Sequence, residues 1–332
     1  MFGIFRTLLA LAVVVDHLGG VHGMGTYAVF GFYVLSGYLM TMVLHRTYGY
    51  SISGFSRYAL NRWLRIFPIY YIAIGLSGVL VWLLGDEMTR QFHANIGVPA
   101  NAEELVRNLA LILSINTETR LVAPAWALTV EGFFYILIGI GVSRFWIGTL
   151  VWLAFSVAYT GYLILGDAPW SYRYFTISAA SLPFALGVTV FHLKNRGGIG
   201  SSVLGSNSFL AVVVVAMCAN YFAGTVISDE GGMGVHFYIN LLMMAFLIIA
   251  LGARRSIGGI DAAMDKKIGD LSYPVYLLHY QAGLIVSALT PWVRGEWSML
   301  LAAVLVVVAL SVGANRFVEL PINRLRSQLR PA

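Results

Sequence analysis

The chain has 332 residues, of which 59% are hydrophobic and 11% charged, with a net charge of +6 and a mean hydropathy of +0.79. A soluble domain is about a quarter charged, so this composition excludes one and indicates an all-α polytopic membrane protein. The basic residues sit in short loops between apolar runs, as topology signals do, and they form no stripe suited to nucleic acid.

Ten apolar runs are long enough to cross a bilayer, near 3–22, 26–44, 66–85, 123–142, 146–165, 175–192, 208–227, 235–252, 270–289 and 299–318. The stretch 105–115 is too short to cross and reads as an interfacial or re-entrant helix. With the N-terminus inside, sixteen of the 21 Lys and Arg fall on the inner side, Arg255 and Arg330 among them, and five fall outside. The outer loops also carry Asp86, Glu87, Glu103, Glu104, Asp229 and Glu230. Both termini are therefore expected in the cytoplasm. Residues 1–332 read as one transmembrane domain without a fused soluble domain. The single Cys218 lies in an apolar run, so neither an intrachain disulfide nor a cysteine metal cluster is expected. A cleaved signal peptide is discounted because the run's polar residues, Arg6, Asp16 and His17, would be wasted if it were removed.

In the first run, Ile4–Val21 (IFRTLLALAVVVDHLGGV), only Arg6, Asp16 and His17 are charged or titratable. Arg6 and His17 are eleven positions apart, almost three helical turns, so they share a face about 16 Å apart along the axis. A charge at mid-bilayer costs roughly 2.5–3.5 kcal/mol unless it meets a cavity or a partner. Taken singly, Arg6 reads as a positive-inside flank and His17 as a cap near the headgroups. Together on one face, with Asp16 beside them, they point to a polar pathway.

The second run holds Ser36 and Gly37 in GFYVLSGYL. A packing notch is the simpler reading, since no Gly-x-Ser-x-Gly elbow is present. Ahead of the third run, RYALNRWLRIFP places Arg62 and Arg65 on one helical face, with Arg57 nearby. This is either a lipid-held basic helix or a cytoplasmic phosphate cradle, for which arginine forks are suited. In PAWALTVEGFFY, Glu131 has no basic residue at i±4 and needs a partner from another helix, either a structural ion pair or a group in the pathway. The segment GDLSYPVYLLH adds Ser272, Tyr273, Tyr276 and His279 to a run interrupted by Pro274, where a lone histidine reads first as a satisfied structural residue. At the end of the last run, RFVELPINR offers Glu319 to a nearby arginine.

In this order the segments FRTLLALAVVVDH, FGFYVLSGYLM, RWLRIFP, PAWALTVEGFFY, LSYPVYLLH and RFVELPINR resemble the acyltransferase 3 family of integral membrane O-acyltransferases. The resemblance implies transfer of an acyl group, usually acetyl, from a coenzyme A donor (acetyl-CoA) without a metal. The implied acceptor is a hydroxyl of a surface polysaccharide, peptidoglycan, a lipid or an antibiotic. The family's arginine-then-histidine motif falls on Arg6 and His17, its basic motif on Arg62 and Arg65, and its tryptophan-to-glutamate segment on Trp126 and Glu131. Where the family often has two acidic residues, this chain has Glu131-Gly132. Some relatives carry an extracytoplasmic esterase-like domain, so a separate extracytoplasmic partner is a further expectation.

The residues fit such a reaction. Arg57, Arg62 and Arg65 would hold the phosphates of acyl-CoA. A pantetheine arm is about as long as the Arg6–His17 separation, which brings the thioester toward His17 as general base or as transient acyl carrier. Glu131 is expected in the outer half of the same cavity, orienting the imidazole or the acceptor. Asp16, Ser36, Tyr273 and His279 are further candidates. The expected location is a bacterial inner membrane. Two rivals stay open: a secondary transporter or flippase, which also uses intramembrane His, Glu and Arg, and acylation of a cytoplasmic small molecule or lipid precursor.

Overall fold

The computed structural model describes residues 1–114, 117–197, 203–227, 234–254 and 256–329. Asp229, Glu230, Arg255 and Arg330, which entered the charge count, lie outside the described residues. Within them the regular secondary structure is helical, joined by loops, and there is no β-strand. The helices are α1 (Gly3–Gly19), α2 (Met24–Val43), α3 (Ile52–Leu84), α4 (Asp86–Phe92), α5 (Ala102–Ala110), α6 (Trp126–Gly139), α7 (Trp146–Leu165) and α8 (Trp170–Tyr174). They continue as α9 (Ser181–Asn195), α10 (Asn207–Phe222), α11 (Val235–Gly252), α12 (Ala262–Asp270), α13 (Ser272–Leu289), α14 (Trp297–Ala314) and α15 (Leu320–Gln328).

Among the described residues six segments are long and apolar enough to cross a membrane: Met24–Tyr48, Ile52–Leu84, Trp146–Leu165, Asn207–Ile227, Val235–Gly252 and Trp297–Gln328. This is an integral membrane protein. The other four expected runs form α1, α6, α9 and α13, which are shorter or more polar. They carry most of the candidate site residues.

Three expected boundaries and one expected break change, each for a local reason. The third run begins at Ile52 rather than near 66, because Ser51 caps the helix by accepting the Gly54 N–H at 3.0 Å and nothing interrupts it through the basic motif. Pro68 lies inside α3 without ending it. The sixth run starts at Ser181, because Thr176 turns the chain by donating to the Tyr172 carbonyl and accepting from the Ala179 N–H. Pro274 does not break α13. It sits in the first turn, where a missing N–H costs no helical bond. The stretch expected at 105–115 forms α5, capped by Asn101 and ended by Leu111 in the left-handed region at φ 57°.

At the centre, α2 packs on α1, α6, α9 and α11. Gly37 and Gly187 bring α2 and α9 together. A Cβ on Gly37 would lie 2.4 Å from the Phe184 carbonyl oxygen, and one on Gly187 would lie 1.9 Å from that of Val34. The notch read at Ser36-Gly37 therefore belongs to Gly37. Beside α2, α13 packs against α1, α3 and α14. The start of α1 is held by Asp265 of α12, whose carboxylate accepts the Gly3 and Ile4 N–H groups at 2.9 Å each.

Candidate active site

Helices α1, α2, α3, α6 and α13 converge on one internal cavity, whose polar lining includes Arg6, Arg62, Arg65, Ser36, Glu131 and Tyr135. Arg6 reaches it from α1, and its buried Nε has no hydrogen-bond partner among the described residues. Arg62 donates to Asn61 Oδ1 at 2.8 Å and to Met40 Sδ at 3.5 Å, while its Nε is also buried without a partner. Arg65 forms an ion pair with Glu319 and lies over the Tyr273 ring, 5.8 Å from its centroid. Tyr273 in turn donates to the Ile66 carbonyl at 2.7 Å. Arg57 is exposed and does not line this cavity. Buried guanidinium N–H groups without partners are costly, so this is a site prepared for oxygen acceptors.

Glu131 accepts hydrogen bonds from Ser36 at 3.1 Å and from Tyr135 at 2.9 Å. The pairing of Glu131 with His17 that the sequence suggested is not seen. The carboxylate lines the arginine cavity, because Tyr135, one turn later on α6, holds it there. Five positions earlier on the same helix, Trp126 lines a second cavity.

This second cavity is lined by Asp16, His17, His22, Thr26, Trp126 and Tyr276, among others. Val29 and Tyr276 line both cavities, so the two are neighbours across a thin wall. His17 Nδ1 lies 2.8 Å from His279 Nε2, and His279 Nδ1 lies 2.7 Å from the Tyr276 carbonyl oxygen. The Tyr280 ring stacks on His17 with centroids 5.0 Å apart, and His93 packs edge-on against Tyr280. Arg294 donates to the His17 carbonyl at 2.9 Å and to the Phe92 carbonyl at 2.8 Å, tying the end of α4 and the loop before α14 to the end of α1. Asp16 has a structural task. Its carboxylate accepts the Gly25 N–H at 2.7 Å and fixes the turn between α1 and α2, where Gly20 and Gly23 have φ of 70° and 84°.

The shared face of Arg6 and His17 thus opens onto both cavities, Arg6 into one and His17 into the other. Sequence reasoning missed His93 and Arg294. Both come from loops, and only the folded chain brings them to His17.

A family model described as an acyltransferase domain matches residues 2–316. The chain belongs to the acyltransferase 3 family. It is a membrane acyltransferase. Comparison with curated proteins and with solved structures finds no match. Within this acyltransferase Arg62 and Arg65 line the first cavity and His17 lines the second. The segment from Trp126 to Glu131 runs along the boundary, with Trp126 on the histidine side and Glu131 on the arginine side. Among the described residues no group of three or more His, Cys, Asp or Glu side chains is arranged to hold a metal.

Proposed function

We propose that this acyltransferase moves an acyl group, acetyl by the family's habit, from cytoplasmic acyl-CoA to a hydroxyl of a cell-surface glycan or related acceptor, across a bacterial inner membrane. One observation carries the reading: two cavities share Val29 and Tyr276 as a wall, one lined by Arg6, Arg62 and Arg65 and the other by His17. Ten spans with both termini inside would put the arginines on the donor's side and the histidine on the acceptor's side.

The donor's phosphates meet Arg62 and Arg6, whose guanidinium groups keep unused donors. Arg65 adds charge but is already paired with Glu319. The pantetheine arm brings the thioester to the wall at Tyr276. His17 takes the proton of the acceptor hydroxyl as the oxygen attacks the thioester carbonyl. The C–S bond breaks, an ester forms, and the thiolate of coenzyme A recovers the proton from the imidazolium. A route in which His17 carries the acyl group as acyl-imidazole gives the same products.

The test is release of free coenzyme A and labelled ester by purified protein given radiolabelled acetyl-CoA and an envelope glycan fraction. His17→Ala should keep donor binding and lose about 10²–10⁴-fold in rate. A His17→Ala protein that acylates at the normal rate would overturn the mechanism.

A further inference from the structure

His279 lies against His17, is completely buried, and lines neither cavity. It cannot reach a substrate, yet its hydrogen bonds decide where the protons of His17 sit. A carbonyl oxygen only accepts, so at 2.7 Å from the Tyr276 carbonyl the His279 Nδ1 must carry the hydrogen. In a neutral imidazole the other nitrogen is then a lone pair. His279 Nε2 is therefore an acceptor, and the hydrogen in its 2.8 Å contact with His17 belongs to His17 Nδ1. By the same rule the lone pair of a neutral His17 is on Nε2. That nitrogen has no partner among the described residues, and His17 lines the outer cavity.

The opposite arrangement requires His279 as an imidazolium, donating from both nitrogens. The groups facing the pair argue against it. They are Tyr276 and Tyr280 from its own helix, His93 and Arg294 from the outer loops, and Asp16 on α1, whose carboxylate is engaged with Gly25. None of them gives His279 a carboxylate partner, and a fully buried charge without one is expensive.

We infer that His279 is a positioning residue: through the Tyr276 carbonyl it fixes the tautomer of His17 and presents the Nε2 lone pair to the acceptor hydroxyl. The backbone carbonyl of α13 here does what a carboxylate does in a serine hydrolase triad, holding the base imidazole in one tautomer, but through a second ring. The kinetic part of this inference rests on the acyl transfer proposed above. The assignment of the protons does not.

The experiment is ¹⁵N NMR of the full-length protein in detergent with ring-labelled histidine, the His17 signals being identified by their loss in His17→Gln. Wild type should show His17 with Nδ1 protonated and Nε2 unprotonated. In His279→Phe, which keeps a ring but offers no acceptor, that preference should vanish. The turnover number should fall by about 10²–10⁴-fold with the KM for acyl-CoA unchanged. His279→Gln, whose amide oxygen can accept the Nδ1 hydrogen, should recover part of the rate. A wild-type His17 protonated on Nε2 overturns the inference, as does a His279→Phe protein with normal turnover. If His279→Phe fails to fold, the wild-type spectrum and the His279→Gln rate decide. A His17→Ala protein with full activity would sink the proposed reaction while leaving the tautomer assignment intact.

Discussion

Arg65, within α3, pairs with Glu319 of the π-helical turn Asn315–Glu319 that joins α14 to α15. Both side chains are largely buried. Removing one partner of such a pair leaves the other charge uncompensated, which costs about 3–5 kcal/mol, whereas replacing both by apolar groups is often neutral. Arg65→Ala should therefore lower the thermal midpoint of the purified protein sharply, and the double replacement Arg65→Met with Glu319→Leu should restore most of it. A double variant as unstable as the single would show that the loss does not come from an uncompensated Glu319 charge.

Arg62 has the opposite balance. Its bond to Asn61 is to a sequence neighbour, its bond to Met40 of α2 is to a thioether, a weak acceptor, and its Nε is unused. Arg62→Ala should leave the thermal midpoint close to wild type and raise the KM for acyl-CoA by about tenfold or more, the equivalent of at least about 1.4 kcal/mol. Arg57→Ala, at an exposed position outside the cavity, should change neither. Equal effects at 57 and 62 would mean that general membrane-surface charge, rather than a built site, attracts the donor.

Glu131 separates the two cavities by its effect. Its carboxylate is fixed by Ser36 and Tyr135 on the arginine side. Glu131→Gln should therefore act mainly on the KM for acyl-CoA, and Ser36→Ala and Tyr135→Phe should shift it in the same direction by smaller amounts. A fall in turnover number at constant KM would instead place Glu131 with His17, as its sequence position alone suggested.

Much of this site is written in local spacing. Eleven positions between Arg6 and His17 put both on one face, and three between Arg62 and Arg65 put both in one cavity. The Glu131–Tyr135 bond is also local, one turn along α6, but a search for basic partners at i±4 passes over a tyrosine. The start of α3 is hidden because the charges of RYALNRWLR depress the hydropathy of a helix that is continuous with its span. The partners of His17 are beyond any local pattern. His279 is 262 positions away, and Arg294 and His93 come from loops whose approach depends on the packing of α1, α3 and α13.

The sidedness of the two cavities follows from topology, and it can be measured directly. In a Cys218→Ser background, Glu87→Cys should react with an impermeant maleimide in intact cells, and Lys266→Cys only after permeabilisation. Both native side chains are exposed, so failure to label would not come from burial. The basic residues favour the inner side by sixteen to five, which makes this orientation the expected one. The reverse pattern would put the arginine cavity outside and remove cytoplasmic acyl-CoA as donor.

His93 supplies a test by pH. It lies after α4, outside the spans, and packs against Tyr280. Burial, with Arg294 and then Arg120 nearby, pushes its imidazole down to about 4. Its Nδ1 accepts the Asn95 N–H at 3.2 Å, which requires the neutral ring. The unfolded chain takes up a proton here near its ordinary value of about 6.5, and the folded chain does so only near 4. Between those values the unfolded state binds more protons, so stability rises with pH through this window and the contribution is complete above it. The thermal midpoint of the wild type should fall as pH drops from about 6.5 to about 4, and that of His93→Gln, which has nothing to protonate at this position, should fall less. Parallel curves would mean that His93 titrates as freely in the folded protein as in the unfolded chain, and that the loop carrying His93 does not close over the Tyr280 ring beside His17.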